Sequence, residues 1–411
     1  MINIAIMGHG VVGSGVAEVL DKNRASIERR AGSPIAIRYI LDLRSFPDSP
    51  YADCFTQSFD DIVQDDTVSV VVETMGGLHP AYDYVKACLA AGKSVVSSNK
   101  ELVAAKGAEL LALAAKNKVN FLFEASVGGG IPIIRPLHQC LGANEITEIA
   151  GILNGTTNFI LTKMIREGST FADALALAQE LGYAERNPAA DVEGTDACRK
   201  ICILASLAFG THIYPDGVPT EGITAITPED VGYAADWGGV IKLLGRAKPT
   251  ADGKVLVMVS PCLIPADSQL AGVDDVFNGI LVRGNATGDV VFYGKGAGKL
   301  PTASAVTADI IDAIKAGETI STLHWRDSTE SLLADHRQQQ LSMYVRLQGA
   351  AARPEAEKVF GKVKPLFRKG SPADEFAFIT PELTEAEIDS RLEQLQASGL
   401  AVLGKIRVAD L

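Results

Sequence analysis

The chain has 411 residues, more than one ordinary hydrophobic core organises, so a division into two or three domains is expected. With 47% hydrophobic and 21% charged residues its composition is globular, which excludes a disordered or low-complexity protein. A formal net charge of −12 opposes the phosphates of nucleic acid and the anionic face of a membrane, so the expected partner is a small molecule.

No basic segment and cleavage site open the chain, and no run reaches the roughly 18 apolar residues of a membrane span. Six scattered cysteines never form C-x-x-C, which argues against a zinc knuckle, an iron–sulfur site or a disulfide scaffold and points to the reducing cytoplasm. Strand and helix then alternate: INIAIM, a helix over about 12–30, IAIRYILDL, VSVVVE from Val68, a helix over 79–91, SVVSS, a helix over 101–116, and VNFLFEAS. This rhythm predicts an α/β, doubly wound parallel sheet of the Rossmann type over residues 1–128. After Gly128-Gly129-Gly130 the pattern changes, giving an α+β domain over 129–300. Its elements are TEIAGIL, a helix carrying Leu161, Met164 and Ile165, a helix opened by Thr170 and Asp173, a helix from about Asp196 to Phe209, and the strands KVLVMVSPCLI and GDVVFYGKG. Pro301 sits in the first turn of a further helix, and residues 317–335 lack a clean period and read as a linker with an edge element. The last unit, 338–411, offers LSMYVRLQG, a helix over about 355–364 ended by Pro365, EFAFIT, a helix capped by Thr384 and Glu387, and AVLGKIRVADL.

Gly8-His9-Gly10-Val11-Val12-Gly13 is G-x-G-x-x-G between an apolar strand and a helix. In that context Gly8 makes the tight turn, Gly10 admits a pyrophosphate, and Gly13 lets helix and sheet approach; outside it, the same glycines would be a bare β-to-α turn. The ribose-binding acid of such sites lies about 20 residues further on, at the end of the second strand. Here the candidate is Asp42, with Arg44 beside it. Asp42 favours the free hydroxyl of NAD and Arg44 the 2′-phosphate of NADP, so NAD is expected to serve at least as well as NADP. A solvent-facing turn aspartate is the other reading of Asp42.

Thr74-Met75-Gly76-Gly77 and Ser97-Ser98-Asn99-Lys100 fall at the carboxyl ends of two parallel strands, where such sheets bind ligands. Lys100 either sets a cation beside nicotinamide and substrate or is a first-turn lysine in solvent, a poor place for a cation. Asp196 and Lys200, four apart, share a helix face that continues into ICILASLAF. An ammonium there must be paired or titrate at lowered pH, which suits a general acid, or the two form a structural ion pair. Glu185 and Asp191 add carboxylates suited to an amine. His79, His138, His212, His324 and His336 show no metal-ligand spacing. The glycine-rich EASVGGGIPII exposes backbone groups to an ion or to the cofactor.

GHGVVG, SSNKELVA, FEASVGGGIPII, GILNGTTNFIL, LGYAERNPAADVEGTDACRKICILA and YGKGAGKLPTASAVTADI together resemble the bacterial homoserine dehydrogenases of three-domain type. The resemblance implies reversible interconversion of L-homoserine and L-aspartate 4-semialdehyde with NAD or NADP, in threonine and methionine biosynthesis, by a homodimer or homotetramer. It assigns Lys200 to proton exchange, Lys100 to the cofactor and substrate, and Glu185, Asp191 and Asp196 to homoserine, with Asp196 orienting the reacting group. It also implies a monovalent cation, Na+ or K+, on backbone oxygens around Glu124, Val127, Gly129 and Ile131. The segment ending in Gly298 would return toward the nicotinamide, and residues 301–320 would pack on the first domain. A dehydrogenase working through an acylated cysteine is disfavoured, since no cysteine here has a nucleophile context. A nucleotide-binding sensor would need these reactive residues to be vestigial.

The C-terminal unit is similar to the βαββαβ regulatory module called an ACT domain. Its ligand turn is expected at Arg353-Pro354-Glu355-Ala356-Glu357, where the glutamates would repel an amino acid carboxylate. Assembly is therefore expected of this unit more than control by threonine, with LSMYVRLQG and GKIRVADL offering strand edges and a sheet face to a second copy.

Overall fold

The computed structural model describes residues 1–411 except 318, 320–322, 324 and 329. His324 and the end of the expected 301–320 segment lie outside the described residues.

Strands β1 (Ile2–Met7), β2 (Ile35–Leu41), β3 (Phe55–Thr56), β4 (Val68–Glu73), β5 (Ser94–Ser97) and β6 (Phe121–Leu122) pair in parallel in the order β3-β2-β1-β4-β5-β6. Ile4 to Met7 and Val70 to Val72 are buried without alternation, as central strands covered on both faces require. The crossovers are α1 (Val11–Lys22), α2 (Arg24–Ala31), α3 (Asp60–Val63), α4 (Ala81–Ala90) and α5 (Lys100–Lys116). The single helix expected over 12–30 is two, because Asn23 leaves the helical region at φ −109 and ψ 16. VNFLFEAS keeps only two strand residues before a 3₁₀ turn at Glu124–Ser126.

The second layer is built on β7 (Ile146–Ile152), β8 (Gly239–Pro249), β9 (Val255–Pro265), β10 (Phe277–Gly284) and β11 (Gly288–Lys295). Helices α6 (Gly155–Glu167), α7 (Phe171–Glu180), α8 (Ala189–Val192), α9 (Thr195–Phe209) and α10 (Pro228–Trp237) accompany it. The chain then crosses back in α11 (Lys299–Ala316), whose Ala303, Val306, Ile310 and Ala313 pack with Ile4, Ile6, Val16 and Val72 of the first domain.

The C-terminal unit adds β12 (Gln340–Leu341), β13 (Met343–Gln348), α12 (Ala352–Phe360), β14 (Lys364–Leu366), β15 (Glu375–Ile379), β16 (Leu383–Thr384), α13 (Glu385–Ala397) and β17 (Ala401–Val408). Its main strands order as β17-β13-β15-β14, and β17 pairs in parallel with β9, so one sheet runs β11-β10-β7-β8-β9-β17-β13-β15-β14. Four expectations change here. The edges of LSMYVRLQG and GKIRVADL are used within the chain: β13 is flanked on both sides, and β17 is shared between β13 and β9. The sheet face is covered too. Along β13, Met343, Val345 and Leu347 meet the α12 and α13 side, while Tyr344 Oη and Arg346 Nε donate to Asp230 of α10 at 2.9 and 3.0 Å. The segment 353–357 is not a turn, because α12 starts at Ala352, ends at Gly361 and places Glu355 in its first turn, where a carboxylate suits the helix dipole. Pro365 lies in β14 and terminates nothing.

Asp230 is 1% exposed and serves two structures, closing the Thr227 capping box of α10 while accepting from Tyr344 and Arg346. Its removal leaves the buried Tyr344 hydroxyl and Arg346 Nε without an acceptor while Glu375 still pairs with the guanidinium, and a loss of about 1–3 kcal/mol is expected. Urea denaturation of Asp230→Ala measures this, and an unchanged midpoint would show that the C-terminal unit does not hang on that contact.

Candidate active site

Gly8, Gly10 and Gly13 occupy the three situations their spacing implies. Gly8 turns at φ +95, a conformation that favours glycine. A Cβ on Gly13 would stand 1.9 Å from the Gly8 carbonyl oxygen, whereas one on Gly10 would meet nothing within 4 Å. Gly10 also opens α1 with no side chain capping it, which leaves the first amides of the helix for an anion. Val11 is exposed beside them and Val12 half-buried. This cradle fits a dinucleotide pyrophosphate. Thr74 braces it from β4, its hydroxyl donating to the Gly8 carbonyl at 2.9 Å.

Asp42 and Arg44, set against each other by the sequence, are bound to one another. Asp42 Oδ2 accepts from the His9 amide at 2.8 Å and from Arg44 Nη2 at 2.9 Å; Oδ1 accepts from the Arg44 amide at 3.0 Å and Nε at 2.9 Å. The Arg44 side chain and these amides hold the Asp42 carboxyl well below its ordinary range against a smaller burial effect. With those positions filled, Asp42 holds the glycine turn, and a ribose hydroxyl reaches it only by displacing Arg44. The expectation of NAD from a free Asp42 therefore loses its basis.

Glu73 at the end of β4 carries no sequence signal beyond its strand, yet it ties the next segments together. Its carboxylate is fully buried and accepts from the Met75 amide at 2.8 Å, the Gly76 amide at 3.3 Å and Ser97 Oγ at 2.5 Å. Burial pushes this carboxyl up, and those donors oppose the push. Ser97 Oγ in turn accepts from the Asn99 amide at 3.0 Å, so the Ser97 hydroxyl spends its one hydrogen on Glu73 and links it to the start of α5. Gly76 turns at φ +76 in open space. Asn99 caps α5, accepting from the Leu102 amide at 3.1 Å, and Lys100 follows as the first helical residue.

There Lys100 meets Asp196. The electrostatically poor place for a cation is offset by an ion pair to Asp196 Oδ1, while Lys200 Nζ lies 2.7 Å from Asp196 Oδ2 on α9. Lys200 also donates to the Leu153 carbonyl at 2.8 Å. Asn154, which caps α6, bridges the carboxylates, donating to Asp191 Oδ1 at 2.7 Å and to Asp196 Oδ2 at 2.9 Å. Burial pushes the Lys200 ammonium down; Asp196 counters that and Lys100 adds to it. Burial works against a charged Asp196, but attraction to Lys200 and Lys100 outweighs it and holds the carboxyl below the usual range. Asp191 is raised by burial, with Asn154 opposing. Glu185 stands apart: it is exposed, and among the described residues no ion pair joins it to this cluster. Asn154 and Glu73 are the site residues that sequence reasoning missed; Asn154 had a signal in Asn154-Gly155-Thr156-Thr157, an N-cap pattern after a strand.

Around the three glycines, the carbonyls of Val127, Gly129 and Ile131 accept from no amide or side chain among the described residues, although all three residues are buried. Unpaired buried carbonyls fit a monovalent cation. The Glu124 carboxylate is committed to the amides of Ile133, Ile134 and Arg135 at 2.6 to 2.8 Å, so a cation would meet Glu124 through its backbone oxygen. Gly129 packs on the Gly296 carbonyl, and Gly298, at φ +122, opens α11 where Lys299 reaches Glu18 of α1 at 2.7 Å. No group of three or more His, Cys, Asp or Glu that could hold a metal ion, and no helix long and apolar enough to cross a membrane, occurs among the described residues.

Two family models match the chain: "Homoserine dehydrogenase, NAD binding domain" over residues 8–124 and "Homoserine dehydrogenase" over 132–311. The chain is similar to the homoserine dehydrogenase of Pseudomonas aeruginosa, 45% identical over 316 residues that span 77% of this chain and 73% of the relative. Among solved structures, a homoserine dehydrogenase from Thiobacillus denitrificans superposes with a TM-score of 0.91 at 35% identity, covering 100% of this chain and 98% of its own. One from Staphylococcus aureus gives 0.82 at 34%, covering 100% and 99%.

If Asp42 holds the glycine turn, Asp42→Ala loosens the cradle for any dinucleotide, and affinity for NAD and NADP falls together by roughly tenfold, the loss of one charge-assisted contact. Equilibrium titration of both cofactors checks this; a loss confined to NAD would return Asp42 to the ribose.

Proposed function

The chain belongs to the homoserine dehydrogenase family, and on that premise we propose that Lys200 exchanges the proton of the substrate hydroxyl while Asp196, Asn154, Asp191 and Lys100 arrange the substrate around it. The activity is the reversible, NAD(P)-dependent interconversion of L-homoserine and L-aspartate 4-semialdehyde, a step of threonine and methionine biosynthesis. The observation that carries the reading is the sharing of one buried carboxylate, Asp196, by Lys100 from the cofactor domain and Lys200 from the substrate domain.

In homoserine oxidation, Lys200 Nζ as free amine accepts the hydroxyl proton as the carbon–oxygen double bond forms. A nicotinamide cofactor held by the glycine cradle would supply the hydride acceptor for oxidation and the hydride donor for reduction. In reduction, Lys200 as ammonium returns its proton to the oxygen. Asp196 steers that ammonium and keeps it from leaving the site; Lys100 supplies positive charge at the boundary with the cofactor. Asp191, held by Asn154, is the carboxylate available to the substrate amine. Glu185 joins that role only through a movement of its exposed loop. The cradle of Gly8, Gly10 and Gly13, with Val11, Val12, Thr74, Gly76 and Gly298 around it, holds NAD or NADP. The backbone oxygens of Val127, Gly129 and Ile131, with that of Glu124, would hold Na+ or K+ and thereby stiffen the loop against Gly296. A homodimer or homotetramer remains part of this reading, supported by the unpaired edge of β11, where Tyr293 is exposed.

The lowered Lys200 sets the sign of the pH dependence. Oxidation needs the free amine and accelerates as pH rises through that pKa; reduction needs the ammonium and slows over the same window. Lys200→Ala is expected to cost about 10²–10⁴-fold in kcat with cofactor affinity kept. Lys200→Arg should fail as well, since guanidinium holds its proton. Steady-state kinetics in both directions test this, and an arginine variant with near wild-type turnover would reduce Lys200 to a positioning charge.

A further inference from the structure

The C-terminal unit reaches the substrate carboxylates through one guanidinium. Arg407 of β17 is 5% exposed and lies between two acids from different parts of the fold. Its Nη1 and Nη2 each sit 2.7 Å from the carboxylate of Glu221, a bidentate pair, and its Nε donates to Glu385, the first residue of α13, at 3.0 Å. Glu221 belongs to the loop between α9 and α10, whose backbone hangs from β9 through its own amide to the Val259 carbonyl at 2.8 Å. Beyond it the loop presses on the turn that joins α8 to α9. The Ile223 amide donates to the Val192 carbonyl at 2.9 Å, and a Cβ on Gly222 would stand 2.0 Å from that same oxygen. Gly194, at φ +88, packs against Thr220 and Val259 so closely that a Cβ there would lie 3.1 Å from each. The residues so confined, 192–194, are flanked by Asp191 on one side and Asp196 on the other.

We infer that Arg407 is a positioning residue for the substrate site, acting through Glu221 and the 220–223 loop to fix the spacing of Asp191 and Asp196. The contacts are contiguous: α13 to Arg407, Arg407 to Glu221, Gly222 and Ile223 to Val192, and Asp191 through Asn154 to Asp196. Close-packed contacts of this kind transmit displacement instead of absorbing it. Asp191 adjoins the confined segment directly, whereas Lys200 is held by the Leu153 carbonyl as well as by Asp196 and the glycine cradle lies on the other sheet, so loosening this clamp falls first on Asp191 and alters the grip on the substrate amine more than cofactor binding or proton transfer. A sheet joined through β9 and β17 thus gives the appended unit a direct mechanical stake in homoserine recognition. The inference rests on the reading of Asn154, Asp191 and Asp196 as the homoserine site.

The test compares Glu221→Gln, Arg407→Gln, Arg407→Lys and Asp191→Asn in the full-length protein, by initial rates with homoserine and each cofactor varied separately. Glu221 is the gentle variant, its side chain being 47% exposed. Glu221→Gln and Arg407→Gln should each raise the homoserine KM by about tenfold, with kcat and cofactor KM nearly unchanged, and the double variant should be no worse than either alone. Arg407→Lys, which keeps the charge, should recover part of the loss. A Glu221→Gln protein with wild-type homoserine KM overturns the inference, as does a change that falls equally on both substrates; Glu221→Gln decides alone if Arg407→Gln does not fold. Asp191→Asn separates the two claims: a raised homoserine KM there beside an unchanged one in Glu221→Gln defeats the clamp only, and no change in either defeats the site as well.

Discussion

The buried carboxylate of Asp196 is the contact on which the arrangement depends. Its partners come from opposite sides of a domain boundary: Lys100 starts α5 at the end of the six-stranded sheet, and Lys200 stands one turn further along α9 beneath the nine-stranded one. An ion taken out of water at this depth costs several kcal/mol unless its partners are well placed. Asp196 also lies in the first turn of α9, where the helix dipole favours an anion. The six-stranded and nine-stranded layers are therefore brought together by the same group that holds Lys200, the proton carrier of the proposed mechanism.

Around that pair, each supporting residue does a backbone job first. Glu73 gathers the amides of the 75–76 turn and the Ser97 hydroxyl, Asn99 and Asn154 cap helices, and Asp42 pins the glycine turn. Such side chains fix strand ends and helix starts to fractions of an ångström, which is what hydride and proton transfer between two domains requires. The lowered pKa of Lys200 follows from the same burial, so its placement and the reactivity proposed for it would share one cause.

The parallel sheet, the glycine turn and the Asp196–Lys200 face were legible in the sequence because each rests on local spacing: apolar runs, G-x-G-x-x-G, and residues four apart. What was not legible depends on distant partners. β10 hides Asn278-Gly279 inside a strand, since Gly279 lets Val273 and Leu270 approach where a turn would be expected. The α10 helix carries a local signal of the same kind, with Thr227, Pro228 and Asp230 as cap, first-turn proline and box. Nothing in Asp42 or Arg44 as single residues says that they would satisfy one another. The C-terminal unit was recognisable as βαββαβ, but a sequence carries no sign that its face would be met by α10 and its edge by β9, leaving to assembly only surfaces other than those strands.

In the proposed mechanism Asp196 governs the protonation of Lys200. The direct measurement is the pH profile of kcat for homoserine oxidation in the wild-type protein and in Asp196→Asn. Without its carboxylate the Lys200 ammonium loses the group that opposes burial and Lys100, so the account predicts that the acidic limb of the profile moves to lower pH even though overall turnover falls. A limb that stays where the wild type has it would mean that the titrating group is not Lys200 in the field of Asp196.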